Sequence, residues 1–428
     1  MREEKTSREK RRRRRLKNQL LAYTILLIIV ALILAAGYLG VKNVIRYMNN
    51  YNDKVNKVME EAESSAAAEQ DNESVIEEEP PAETVVYNEG YMPPAEEDPM
   101  NSLVESLLSG MTIEDMVAGL FVVSPEAITG VGTAVQAGDG TKTALAENPV
   151  GGLVYAPKNF KSKDQFTEML ANTKGFAEYP VFMIVKAECG ASDYGLEKTA
   201  KASELTDADS VSQAYGSIAA SLASYGINMN LAPVAEVVSE DGDASLQTRT
   251  FGSDASVAAP LVNASVQAMQ GADVSAVLQK FPGTASGSKT MEELRNSEFI
   301  VYDMAVKGGV DCIMVSHIPA SGVTGDDTPS SLSPVMIGDV LRNTLGFQGV
   351  VMTDYLDDSA ITDKYSSAEA AVAAIQAGAD LLLSPENYQE AYEGVLQALT
   401  DGTITQERIH DSLYRIYCVK YKNAIESS

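Results

Sequence analysis

The chain has 428 residues and a formal net charge of −27, from 60 acids set against 33 Lys and Arg. That excess repels phosphates and excludes nucleic acid as a partner; it suits a domain kept soluble by its own charge. Three widely spaced cysteines (Cys189, Cys312, Cys418) and only two histidines (His317, His410) offer no metal-ligand spacing. A histidine-rich metal site is therefore excluded, and the cysteines read as small buried hydrophobes.

Residues 1–19 form a basic tail with Arg2, Lys5, Arg8, Lys10, Arg11 to Arg15 and Lys17. Leu20 to Leu39 follows without a charge, long enough at ~1.5 Å per residue to cross a bilayer. Only Lys42 and Arg46 come soon after. The positive-inside rule thus predicts one transmembrane helix over 20–41, a cytoplasmic N-terminus and an extracytoplasmic remainder, with the lipid bilayer as a partner at the cell membrane. Ala35-Ala36-Gly37 also fits a cleavage site, but the apolar run exceeds the usual ~7–15-residue signal core, which favours an uncleaved anchor. Residues 42–99 read as an acidic linker. Neither Lys nor Arg occurs from Val58 to Thr141, and Glu77-Glu78-Glu79-Pro80-Pro81 and Met92-Pro93-Pro94 interrupt any regular structure. Low hydrophobicity with high charge predicts a disordered tether there.

From residue 100 to 428 helical and strand patterns alternate. Thr112-Ile113-Glu114-Asp115 opens a helix leading into Phe121-Val122-Val123. Short apolar runs then recur at 152–155, 181–185, 227–231, 276–278, 312–315, 350–353 and 381–383. Between them, Ile218, Leu222 and Tyr225 keep helical spacing up to Gly226, and Asp254 caps a helix that ends at Gly271. Spacings of roughly 30–50 residues leave room for a βαβ unit each. Eight units predict an α/β fold of the (β/α)₈ TIM-barrel type, with a doubly wound sheet as the alternative, and a last helix from Gln406 to about Lys422 closing it.

Several of these segments, in order, resemble the N-terminal barrel of glycoside hydrolase family 3, in its β-N-acetylhexosaminidase branch. They are Met111-Thr112-Ile113-Glu114-Asp115, Gly151-Gly152-Leu153-Val154-Tyr155, Gly226 to Val234 (GINMNLAPV), Arg249 to Asp254 (RTFGSD), Ser330-Ser331-Leu332-Ser333-Pro334, Leu345 to Asp354 (LGFQGVVMTD) and Ala374 to Asp380 (AIQAGAD). The resemblance implies a retaining glycosidase that cuts N-acetylglucosaminides, typically in cell-wall fragments such as peptidoglycan. An aspartate would attack the anomeric carbon, a histidine on the loop after strand five would protonate the leaving oxygen, and no metal or organic cofactor would be needed.

On that resemblance Asp354 matches the nucleophile and Arg249 a sugar-gripping arginine. Other positions depart from the pattern. Lys186-Ala187-Glu188-Cys189-Gly190 stands where a sugar-binding aspartate and its Gly-rich continuation belong, and Tyr194 replaces an arginine. Gln279-Lys280-Phe281-Pro282-Gly283-Thr284-Ala285 replaces Lys-His-Phe-Pro-Gly-His-Gly, and the loop from Thr284 to Asn296 has no histidine. His317 matches a different histidine, on strand six, and also reads as a hydrogen-bonded core residue. The expected substrate-binding set is thus Arg249, Lys280, Gln279, Lys186, Glu188 and His317.

Without a positioned acid, loss of about 10²–10⁴-fold in rate is expected. The chain then reads as a weakly active or inactive glycan-binding or scaffold protein. The alternative is a working glycosidase with a relocated acid such as Glu292 or Glu293. Lys186 and Lys280, ending strands three and five, are expected to form an ion-paired cluster with Asp354 and Glu188.

Overall fold

The computed structural model describes residues 99–238 and 244–426, with side chains described through 422. Eight parallel strands form one sheet: β1 Phe121–Val123, β2 Gly152–Val154, β3 Phe182–Val185, β4 Met229–Asn230, β5 Ser275–Phe281, β6 Cys312–Val315, β7 Val350–Thr353 and β8 Leu382–Leu383. They run in the order β7-β6-β5-β4-β3-β2-β1-β8. A parallel bridge between Met352 and Leu381 joins the two edges, and the Thr353 N–H donates to the Leu381 carbonyl at 3.0 Å. The sheet therefore closes into a TIM-type barrel, and the doubly wound alternative falls away.

Nearly every strand residue is buried, which is why the strands read as continuous apolar runs rather than alternating ones. The helices between them start on the expected caps. Thr112 accepts from the Asp115 N–H, and Asp254 from the Ser256 N–H at 2.9 Å. Gly226 ends the helix Ala208–Tyr225 at φ 99°, a left-handed backbone that a Cβ would oppose. The closing helix spans Gln406–Glu426. It is tied to the barrel floor through Asp380, which is wholly buried and takes Arg342 at 2.6 Å and Arg415 at 3.1 Å. Cys189 and Cys312 are buried, whereas Cys418 is only half-buried, because it sits on that surface helix.

The expected membrane placement is corrected. No helix among the described residues is long and apolar enough to cross a membrane. The tail, the 20–41 segment and most of the acidic linker, on which that expectation rested, lie outside the described residues. The single-pass membrane location and the bilayer as a partner are not carried forward.

Candidate active site

A parallel barrel directs every strand's C-terminal end to one mouth, so the residues just past β3, β4, β5 and β7 meet there whatever their distance in sequence. Asn230, buried on β4, fixes the end of β3 by accepting the Ala187 N–H at 2.8 Å and donating to the Ala187 carbonyl at 2.9 Å. This clamp holds Lys186 and Glu188, either side of Ala187, at the rim.

Asp354 leaves β7 with its N–H bonded to the Val315 carbonyl at 2.8 Å. Its Oδ1 accepts the Tyr355 N–H at 3.0 Å, and its Oδ2 lies 2.8 Å from Lys280 Nζ. The candidate nucleophile is thus an almost buried carboxylate masked by an ammonium. Glu188 is held differently: Arg249 grips it through both oxygens, at 2.5 and 2.7 Å, the fork geometry that makes Arg–carboxylate pairs strong. Lys186 Nζ stays 3.7 Å from Glu188. Burial pushes the Lys186 ammonium below its ordinary value, with Glu188 pulling the other way.

The expected four-member cluster is therefore divided. Lys280 pairs with Asp354, while Lys186 turns to Glu188, two residues along its own chain. Gln279 is corrected as a ligand-facing residue. It is buried, and its Nε2 donates to the Leu231 carbonyl in β4's continuation. Lys280 reaches Asp354 at the mouth, whereas the Gln279 side chain is taken up by the Leu231 carbonyl. His317 is corrected likewise: its Nε2 meets the Tyr355 carbonyl and its Nδ1 the Ser331 hydroxyl, both at 2.8 Å. A carbonyl only accepts, so Nε2 carries the proton, and the ring serves to hold the segment after Asp354 in place.

Glu292 and Glu293, the expected candidates for a relocated acid, stand in solvent. Both are exposed on the short helix Met291–Arg295. Glu293 closes a capping box, accepting from the Thr290 N–H and hydroxyl, each at 2.8 Å, and those bonds hold its carboxyl below its ordinary value.

Over the β8–β1–β2–β3 side of the mouth lies a cavity of about 650 Å³. Lys186, Glu188 and Arg249 form one wall, and Tyr355, Asp357 and Glu386 another. Asp354, Lys280, Gln279 and His317 are not among its lining residues. Burial, with Asp358, Glu386 and Asp354 nearby, pushes the Asp357 carboxyl up. Tyr194, at the position expected for an arginine, is buried and donates to the Tyr155 carbonyl at 2.8 Å. It closes the wall instead of offering a charge.

One residue escaped the sequence reading. Glu236, in the Pro233-Val234-Ala235-Glu236 run after β4, is 2% exposed. Its Oε2 accepts the Thr284 N–H at 2.9 Å and the Thr284 hydroxyl, while its Oε1 is buried with no hydrogen-bond partner among the described residues. Burial pushes this carboxyl above its ordinary value, against Thr284, Lys280 and Arg249. A charge inside an otherwise apolar strand end was the signal available.

A barrel of eight parallel strands with paired charges at its C-terminal mouth defines an α/β-barrel protein with its candidate site at that mouth. The sequence model described as "Glycosyl hydrolase family 3 N terminal domain" matches residues 112–419, and the chain belongs to that family. A "Beta-N-acetylglucosaminidase/beta-glucosidase" of Cellulomonas fimi is 29% identical over 269 residues, covering 57% of this chain and 48% of that protein. A "Beta-hexosaminidase" of Stenotrophomonas maltophilia (strain R551-3) is 26% identical over 276 residues, covering 59% and 81%. Among solved structures, a family 3 β-N-acetylglucosaminidase from Paenibacillus sp. str. FPU-7 superposes with a TM-score of 0.68 at 28% identity, covering 74% of this chain and 64% of that one. The match thus spans about half of the Cellulomonas protein and under two thirds of the Paenibacillus chain.

Proposed function

We propose that the barrel binds N-acetylglucosamine-containing glycans, of the kind found in cell walls, and hydrolyses ordinary glycosides slowly or not at all. The observation that carries this reading is the Lys280–Asp354 contact of 2.8 Å. An aspartate placed to attack an anomeric carbon is masked, and the loop after β5 has no histidine to protonate the leaving oxygen. The relatives named for acting on such sugars, together with Arg249 beside a sugar-sized cavity, support the ligand class.

The test compares two substrates. A dinitrophenyl N-acetylglucosaminide carries a leaving group that departs without a proton; a methyl glycoside does not. Turnover of the first that Asp354→Asn abolishes, with the second slower by about 10²–10⁴-fold, is the expected pattern. Equal turnover of both refutes the impaired-hydrolysis reading, and absence of both turnover and glycan binding refutes the ligand class. A second reading, a working retaining glycosidase with Asp354 as nucleophile and a relocated acid, is favoured by one observation, the protected carboxyl of Glu236.

A further inference from the structure

Glu236 stands at the same mouth as Asp354 and is prepared in the opposite way. Val234 bridges Gln279, and the Ala235 N–H bonds to the Gln279 carbonyl, so Glu236 emerges beside Lys280 on the neighbouring strand. Thr284 gives both of its donors, N–H and O–H, to Oε2. Oε1 then remains, buried and without a hydrogen-bond partner among the described residues. A lone anionic oxygen in that position would carry a large desolvation cost, whereas a hydroxyl there leaves only an unmade bond. Burial at this position therefore favours the protonated carboxyl, with Oε1 as the oxygen left to carry the proton.

The charged and titratable groups that act on it are few. Lys280 comes from β5 and Arg249 from the segment after β4. From the helix Glu298–Lys307 the buried Tyr302 hydroxyl, likewise without a hydrogen-bond partner among the described residues, feels the charge of both Glu236 and Glu298. Glu298 is itself occupied by Lys289 and the Ser297 hydroxyl. Asp354, in contrast, accepts from an ammonium and a backbone N–H. Two carboxyls in one site, one buried against an amide and a hydroxyl and one paired with an ammonium, are the arrangement that separates an acid from a nucleophile.

We propose that Glu236 is the site's proton donor, reached by the glycosidic oxygen once a sugar ring displaces Lys280 from Asp354. The proposal rests on the second reading above, a working glycosidase in which Asp354 faces the anomeric carbon, and not on the reading without a proton donor. In the first step Asp354 Oδ2 bonds to the anomeric carbon as the glycosidic bond breaks, and the Oε1 proton of Glu236 passes to the leaving oxygen. In the second step the Glu236 carboxylate takes a proton from water. The water oxygen bonds to the anomeric carbon, and the bond to Asp354 breaks. Both carboxyls return to their starting states.

The experiment uses Glu236→Gln, whose amide oxygen can still accept from Thr284, and Glu236→Asp, which keeps an acid with a shorter reach. kcat/KM is measured for the methyl and the dinitrophenyl N-acetylglucosaminide across pH, with chitobiose binding followed by calorimetry. The expected result for Glu236→Gln is a loss of at least about 10²-fold for the methyl glycoside only. The wild-type decline at high pH disappears with it, Glu236→Asp recovers part of the rate, and binding is unchanged. Equal losses for both substrates, no loss for either, or a wild type inert towards the methyl glycoside overturns Glu236 as the donor. If chitobiose does not bind the wild type, the underlying reading of the site fails as well; if it binds while the leaving-group dependence is missing, only Glu236 fails.

Discussion

Lys280→Met asks whether the ammonium on Asp354 masks the site or serves it. Methionine keeps most of the aliphatic stem and removes the charge. A hydrogen bond to a charged group contributes about 1.5–3 kcal/mol. Here the lysine side chain is 31% exposed and the aspartate 11%, so solvent screening brings the contact to about 1–2 kcal/mol. A sugar that occupies the space over Asp354 must break that contact first. Removing it should tighten binding of N-acetylglucosamine and chitobiose by about 5–30-fold, the same energy read as a ratio of dissociation constants. Isothermal calorimetry measures it, with Asp354→Asn and the double variant completing a cycle. The masking argument requires most of the gain to vanish when Asp354 is already Asn. If Lys280→Met binds more weakly than the wild type, Lys280 donates to the ligand and the reasoning is wrong.

Further expectations follow from other pairs. Asp380→Asn leaves Arg342, Arg408 and Arg415 around a neutral group that was wholly buried; a loss of about 3–5 kcal/mol is expected, visible as a lower urea midpoint, and a change below about 1 kcal/mol would contradict the hub. Arg249→Lys keeps the charge but cannot grip both oxygens of Glu188, so glycan affinity should fall about tenfold with unchanged far-UV circular dichroism; full affinity would show that the fork does not order the cavity wall. Glu236 also predicts a pH effect. Its folded carboxyl is raised above the ordinary 4.5, so in the window just above that value the folded state holds a proton the unfolded chain has released. Stability therefore falls as pH rises through it, and Glu236→Gln should flatten the decline in urea titrations; an identical slope in the variant would show that the carboxyl is not protonated.

The barrel was legible because burial on both faces leaves an unbroken apolar run. β1, β6 and β7 occupy the positions those runs predict. β4 is shorter than its run, two residues against five. Ile227 still bonds back to the Leu222 carbonyl of the preceding helix, and Leu231 already follows Val185 beyond the paired segment. β5 is longer, seven residues, because Val234 extends its pairing past β4. Such end effects depend on partners that no local pattern names.

The mouth was legible only as a set of strand ends. Which residues belong there follows from the barrel; what each one touches does not. Glu188 owes its state to Arg249 and Glu236 to Thr284, 61 and 48 residues away in sequence. Asp354, Glu188 and Glu236 are the same chemical group placed on one rim, yet one faces an ammonium, one a guanidinium fork and one only an amide and a hydroxyl. The difference in partner masks the first, the candidate nucleophile, fixes the second in the cavity wall and raises the third above its ordinary value. A reading by residue type searched the altered loop for an acid and found Glu292 and Glu293, both in water. The carboxyl proposed as the proton donor sits one strand away, where burial rather than sequence position raises it above its ordinary value.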